Sequence, residues 1–266
     1  MKSKEAEIMQ KIGYHSNIIQ FYGVQQMPDK VFIFMEYCPE GTLDDLIKSL
    51  SGNMKQGQPC IVLKTARNYT RQIVCGLKHL HERKIVHRDL KPTNILLSGN
   101  GAKVKIADMG EACTFEDVKA RRDSEKFTIG FAAPEWIVHR QMGSGSANHP
   151  QLRDLRIVND DMVGKIDVWS LGCIVTEMIT GKASGPFLFR GNNIFEPVSV
   201  PQRIFADWAK TDLRKFVLKY AEEPSVMAQS HAVKDFLDKC FEVKAEKRLN
   251  ADKLLKLSFL QHHNLE

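Results

Sequence analysis

One stretch of this 266-residue chain, residues 167–180, is apolar on almost every side. A helix formed there has no face suited to water, so we expect it to be buried, and Gly181 is placed to end it. The longest uninterrupted apolar run, residues 31–35, is far shorter than the ~20 residues that cross a membrane. We therefore expect a protein core built around a central helix, and no membrane span.

Periodicity elsewhere in the chain indicates a mixed α+β protein. Residues 18–24 and 31–37 are predicted to be two buried strands joined by a turn, and residues 104–107 a short strand. This order predicts a small strand-containing head followed by a mostly helical body. Apolar residues recur at helical spacing in four further segments, which are residues 5–12, 63–83, 233–240 and 250–257.

Charge and cysteine usage narrow the classes of function. The net charge of +6 comes from basic and acidic residues that are mixed along the chain, whereas nucleic-acid binders concentrate Lys and Arg on one face. We therefore expect no nucleic-acid partner. The six cysteines form no Cys-x-x-Cys pair and are expected to be reduced core residues. The first residues show no secretory signal, which favours a cytoplasmic protein.

Two acidic sites carry the chemistry. The string His-Arg-Asp-Leu-Lys-Pro-Thr-Asn occupies residues 87–94, and Asp-Met-Gly follows the predicted strand at residues 108–110. Two acids and an amide can bind a divalent cation through oxygen, as Mg²⁺ prefers, and leave one carboxylate to receive a hydroxyl proton. A single aspartate in a loop is more often a simple cap, but the length of the string favours a catalytic loop.

These residues resemble the catalytic loop and metal-binding motif of the eukaryotic protein kinases, specifically of their serine/threonine branch. Ala-Pro-Glu at residues 133–135 resembles the end of their activation segment, and residues 167–172 resemble the start of their central helix. The resemblance extends over residues 5–260 and, more loosely, points to the upstream kinases of mitogen-activated cascades. It implies an α+β, protein-kinase-like fold with a small lobe at residues 1–37 and a large lobe at residues 38–266.

The resemblance also implies ATP and Mg²⁺ as cofactors and proteins as substrates. Asp89 would accept or orient the proton of the substrate hydroxyl, and Lys91 would contact the transferred phosphate. Thr128 would link Asp89 to Lys91. Asn94 and Asp108 would hold the magnesium ions.

The resemblance also assigns further residues to adenine binding and to structural roles. Glu36 and Cys38 would bind adenine through their backbones, with Met35 at the gatekeeper position and Leu96 also in the adenine site. Arg248 is expected to pair with Glu135. A stack of apolar side chains would join the lobes, formed by Met9, Phe21, His87 and Met109. The positions expected to be structural are Glu5, His87, Glu135, Asp167 and Arg248.

Arg88, which precedes Asp89, is typical of kinases that an upstream kinase activates by phosphorylation. The candidate acceptors are Thr114, Ser124 and Thr128, with Ser124 preferred, although an ordinary polar loop serine explains Ser124 equally well.

Four departures from the family's pattern stand out. Met109 replaces the usual Phe, Phe127 stands where Gly is common, and a surface insertion is predicted near residues 141–162. The fourth is that no Gly-x-Gly-x-x-Gly occurs and that only four residues precede Glu5, so we expect a truncated small lobe of one helix and two strands. Two interpretations stay open: a kinase that is incomplete as written and poorly active, or a catalytically inactive, pseudokinase-like module that binds or regulates a partner.

Overall fold

Nine helices and six strands lie in residues 4–52, 59–120, 127–141, 157, 159–181 and 224–261, which are the residues that the computed structural model describes. The helices are α1 Lys4–Ile12, α2 Leu43–Ser51, α3 Leu63–Glu82, α4 Phe115–Lys119, α5 Pro134–Gln141, α6 Asp160–Thr180, α7 Pro224–Cys240, α8 Ala251–Leu254 and α9 Ser258–Gln261. The strands are β1 Phe21–Gln26, β2 Val31–Met35, β3 Ile85–Val86, β4 Ile95–Ser98, β5 Lys103–Ile106 and β6 Cys113–Thr114. They form three antiparallel pairs, β1–β2, β3–β6 and β4–β5.

Helix α6 is buried, as its sequence predicts. Its residues from 162 onward are all buried, and α3, α4 and α7 pack against it. Gly181 ends it with a left-handed φ of 63° and donates its N–H to Glu177 O at 2.9 Å. The helix begins at Asp160 and not at Asp167, because the Asn159 side chain accepts a hydrogen bond from the Met162 N–H and caps it there.

The end of the insertion predicted near residues 141–162 therefore belongs to α6. The rest of that insertion, apart from residues 141, 157 and 159, lies outside the described residues.

The prediction that β1 and β2 are buried is wrong. Phe32 and Phe34 are about half exposed, and β1 begins only at Phe21. The pair has α1 packed against β1 but leaves many of its side chains open to water. Ile18 and Ile19 are buried as expected, yet they lie beside β5, where the Ile19 N–H donates to Ile106 O at 2.9 Å.

The predicted C-terminal helix is two short helices. Asn250 caps α8 as expected, with its side chain accepting from the Lys253 N–H. The chain then turns before α9, which buries Phe259 and Leu260 in the main core. None of the described helices is both long enough and apolar enough to cross a membrane.

Candidate active site

The loop between β3 and β4 carries the catalytic string, and Asp167 at the centre of α6 anchors it. The Asp167 carboxylate accepts hydrogen bonds from the backbone N–H groups of His87 and Arg88 at 3.0 and 2.9 Å. The His81 ring, at the end of α3, lies 2.8 Å from the same carboxylate. Complete burial raises the pKa of Asp167, but the His81 hydrogen bond and the nearby His87 outweigh it, so the pKa lies below its ordinary value.

Asp89 is the focus of the loop. Its carboxylate accepts hydrogen bonds from Thr128 Oγ1 at 2.6 Å and from Lys91 Nζ at 2.7 Å. Lys91 also donates to Thr128 Oγ1 at 3.0 Å, which closes a triangle. Partial burial raises the pKa of Asp89, but the Lys91 and Thr128 hydrogen bonds lower it further, so its pKa is below the ordinary value. The carboxylate is therefore ionised near neutral pH.

Asn94 and Asp108 lie next to one another beside this triangle. The Asn94 amide donates to Asp89 O at 2.8 Å, and Asn94 O accepts from the Ala107 N–H at 2.9 Å. Asp108, which follows Ala107, is exposed and has a left-handed φ of 61°. The amide oxygen of Asn94 and the carboxylate of Asp108 are hard donors.

These two donors fit Mg²⁺, which takes one or two protein oxygens and keeps waters or substrate phosphates as its other ligands. Within the described ranges, no three His, Cys, Asp or Glu side chains are grouped so that they could bind a metal ion without other ligands.

The expected apolar stack is buried. Met9, His87 and Met109 are at most 3% exposed, and Phe21 packs against the same core as Met9 and Met109. The His87 ring lies 2.9 Å from Ala107 O, which ties the stack to the residue before Asp108. Met109 therefore occupies a buried position despite replacing the usual Phe.

Glu135 and Arg248 form a buried fork. Arg248 Nη1 donates to Glu135 Oε1 at 2.6 Å and Nη2 donates to Oε2 at 2.9 Å, and both side chains are fully buried. Arg248 also donates to Lys165 O in α6 and to Glu242 O after α7. The pair therefore fastens the end of the activation segment to two helices.

Of the residues expected around adenine, Met35 ends β2, Glu36 and Cys38 follow it, and Leu96 lies in β4. Leu96 in β4 forms an antiparallel bridge with Thr42, just beyond the hinge. Met35, the expected gatekeeper, is 40% exposed. Cys38 is half-buried. Its burial and, to a smaller extent, the negative charge of Glu36 raise the pKa of its thiol.

Glu5 projects from α1 toward the metal-binding motif. Partial burial and the negative charge of Asp108 raise the pKa of the Glu5 carboxyl. Among the described residues, no lysine lies within 4.0 Å of this carboxylate.

The candidate phosphate acceptors differ in their surroundings. Thr114 caps α4, and its hydroxyl donates to Asp117 at 2.9 Å. Thr128 is held by Asp89, and Ser124 lies outside the described residues. Arg88 is buried, donates from Nε to Glu111 O at 2.6 Å and stacks over the Trp136 ring.

Sequence reasoning missed two residues beside the site, His81 and Lys105. His81 holds Asp167, and Lys105 lies 3.0 Å from the Glu36 carboxylate. Both contacts join segments that are far apart in the chain, so no motif indicated them. The helical spacing of α3 does place His81 at the end of that helix, next to the catalytic string.

Comparison with known proteins matches almost the whole of this chain. The family described as "Protein kinase domain" matches residues 2–260. Mitogen-activated protein kinase kinase kinase 5 of Arabidopsis thaliana is 30% identical over 93% of this chain and 29% of its own length. Mitogen-activated protein kinase kinase kinase 5 of Homo sapiens is 33% identical over 93% of this chain and 15% of its own length. The chain thus spans less than a third of either relative.

Proposed function

Because this chain belongs to the protein kinase family, on its serine/threonine branch, we propose that the protein containing it transfers the γ-phosphate of ATP to serine or threonine hydroxyls of proteins. The recognition made from residues 87–172 is confirmed, and the chain is a serine/threonine protein kinase domain. The similarity to active signalling kinases does not favour the pseudokinase-like alternative.

The triangle of Asp89, Lys91 and Thr128 is the observation that carries the proposal. Asp89 is ionised and accepts three side-chain hydrogen bonds, from Lys91, Thr128 and Asn94, so it is held where it can orient a substrate hydroxyl and receive its proton. As that oxygen forms its bond to the γ-phosphorus, the bond from phosphorus to the ADP oxygen breaks. Lys91 lies beside Asp89 and would offset the negative charge of the moving phosphoryl group.

The remaining residues bind and orient. Asn94 and Asp108 would hold Mg²⁺, which supplies charge neutralisation at the phosphates when it is bound. The backbones of Glu36 and Cys38, with Met35 and Leu96, would bind adenine. Glu5, His87, Glu135, Asp167 and Arg248 would keep these parts in place. The division into a small lobe at residues 1–37 and a large lobe at residues 38–266 belongs to the same proposal.

The substrate class follows from the relatives' names. We propose that the protein phosphorylates a kinase of the next tier in a mitogen-activated cascade, as a mitogen-activated protein kinase kinase kinase does. Activation by an upstream kinase and a cytoplasmic location stay predictions.

Replacing Asp89 by Asn tests the reaction. The variant keeps the size of the side chain but cannot take a proton, so we expect phosphate transfer to fall about 10²–10⁴-fold while binding of Mg·ATP is retained. The measurement is transfer of labelled phosphate to a kinase substrate by the full-length protein, with nucleotide affinity measured separately.

The α2 residue Asp44 gives the control, because its carboxylate pairs with Lys48 and not with the catalytic triangle, so Asp44→Asn should leave transfer unchanged. If Asp89→Asn retained the protein's cellular effect, a binding module would explain the chain better than a kinase.

A further inference from the structure

We propose that Lys105 is a positioning residue for the nucleotide, because its ammonium group holds the hinge against β5 through the carboxylate of Glu36. Lys105 Nζ lies 3.0 Å from Glu36 Oε2. The inference rests on the proposed function, since Glu36 opens the segment that would bind adenine.

The Glu36 carboxylate joins three segments of the chain. The same oxygen that contacts Lys105 also accepts a hydrogen bond from the Gln20 N–H at 3.2 Å. The backbone N–H of Glu36 in turn donates to Gln20 O at 2.8 Å. Glu36 is therefore fixed by its backbone to the segment before β1 and by its side chain to β5.

The segment before β1 is itself attached to β5. The Ile19 N–H donates to Ile106 O at 2.9 Å, and the Ile106 N–H donates to Asn17 O at 2.9 Å. The Asn17 side chain donates to Val104 O at 3.1 Å. Segment 17–20, the hinge and β5 thus form one network, and the Lys105–Glu36 ion pair closes it on the hinge side.

Lys105 lies directly beneath the expected nucleotide position. It pairs across the β4–β5 ladder with Leu96, and side chains of directly opposed residues lie on the same face of a sheet. Two residues further along, Ala107 is bonded to Asn94 and precedes Asp108. Lys105 therefore links the strand that leads to the metal ligands with the hinge.

Burial strengthens the effect of the Lys105–Glu36 ion pair on the position of the hinge. The side chains of Lys105 and Glu36 are only 10% and 25% exposed, so water screens their attraction less than at the surface. Loss of one partner leaves the other charge partly buried and unpaired, which favours a shifted hinge that lets the charge reach water.

The test compares Lys105→Met with Lys103→Met in the full-length protein. Lys103 lies on the same strand but is exposed, so it is a matched control. We expect Lys105→Met to raise the KM for ATP about tenfold, equivalent to about 1.4 kcal/mol. The kcat and the KM for the protein substrate should stay within about twofold, and backbone amides of residues 31–38 should exchange hydrogen faster. Lys103→Met should change none of these.

Two further variants separate positioning from general damage to the fold. Lys105→Arg keeps the charge and should stay within about threefold of the original KM. Glu36→Gln keeps an oxygen that can accept the Gln20 N–H but removes the charge, so it should raise the KM for ATP by a similar factor, and adding Lys105→Met to it should raise the KM little further.

An unchanged KM for ATP in Lys105→Met, or an equal rise in Lys103→Met, would overturn the inference, as would effects of Lys105→Met and Glu36→Gln that simply add. If the unaltered protein transfers no phosphate, the proposed function fails separately. Hydrogen exchange of residues 31–38 then decides the role of Lys105: faster exchange supports it, and unchanged exchange excludes it.

Discussion

At the scale of single residues, three aspartates show how surroundings assign different tasks to one side chain. Asp167 is fully buried and holds backbone N–H groups, so it serves as an anchor. Asp89 is 9% exposed and accepts from three side chains, whereas Asp108 is exposed with a strained left-handed backbone. The motifs predicted all three positions because their spacing is local. Lys105 could not be predicted, since its partner Glu36 approaches only after the chain has folded.

The buried fork of Glu135 and Arg248 gives the sharpest stability prediction for a single residue. Glu135→Ala leaves a fully buried guanidinium without its carboxylate, so we expect the free energy of unfolding to fall by about 3–5 kcal/mol. Arg248→Lys should also destabilise the protein, because a single ammonium cannot reproduce the two parallel hydrogen bonds. Urea unfolding at pH 7 measures both variants.

The α2 surface pair of Lys48 and Asp44 is the matched contrast. Its atoms approach to 2.6 Å, and Asp44 is 21% exposed, but the lysine is 72% exposed and can turn to water when its partner is lost, so Asp44→Ala should have a much smaller effect than Glu135→Ala. Equal losses at the two pairs would show that the burial of the Glu135–Arg248 fork contributes nothing.

At the scale of elements, hydrophobic periodicity predicted α3 and α6 well because both bury long apolar patterns. Periodicity predicted burial wrongly where burial depends on which other elements pack against the segment. The apolar run of β2 indicated a buried strand, yet burial depends on what covers the sheet, and its phenylalanines are half exposed. The sequence places the start of α6 at Asp167, but the helix begins at Asp160 because the Asn159 side chain caps it there.

Two glycine substitutions should have opposite effects on stability, one where α6 packs against the end of α7 and one at the C-terminal end of α2. A Cβ at Gly172 would lie 2.8 Å from Cys240 Cβ and 3.0 Å from the Phe241 ring, closer than packed atoms allow. Overpacking costs about 1–3 kcal/mol, and alanine's higher helix propensity offsets up to about 1 kcal/mol of it. We therefore expect Gly172→Ala to lower the free energy of unfolding by on the order of 1 kcal/mol in urea titrations.

Gly52, at the C-terminal end of α2, is the control. It has a right-handed backbone, and a Cβ added to it would meet no other part of the described chain within 4 Å, so alanine fits without strain. Gly52→Ala should stabilise the protein by about 0.4–1 kcal/mol, because it restricts the unfolded chain. Destabilisation at both glycines would mean that packing at Gly172 is not the cause.

At the scale of the whole molecule, Asp167 connects the central helix, the end of α3 and the catalytic loop. Because it lies in the core of the large lobe, its ionisation is coupled to folding of the lobe and not only to the geometry of one loop. The exposed Asp252 differs: its hydrogen bonds from Lys78 and Lys256 lower its pKa to about 2, but both lysines remain in contact with water.

Asp167→Asn should therefore change how stability depends on pH. The folded pKa of Asp167 lies below the unfolded value of about 3.9, so its ionised form stabilises the fold above that value and the contribution is lost as pH falls through the folded pKa. We expect the variant to be less stable by about 1.5–3 kcal/mol at pH 7, since it loses a charge-assisted hydrogen bond. Urea unfolding should give a gap that does not shrink between pH 7 and 5 and that narrows below about pH 4. A gap that already closes between pH 7 and 5 would mean that the effect of burial outweighs the hydrogen bonds and that the pKa of Asp167 is raised. The control is Asp252→Asn at the surface, which should give a much smaller gap throughout.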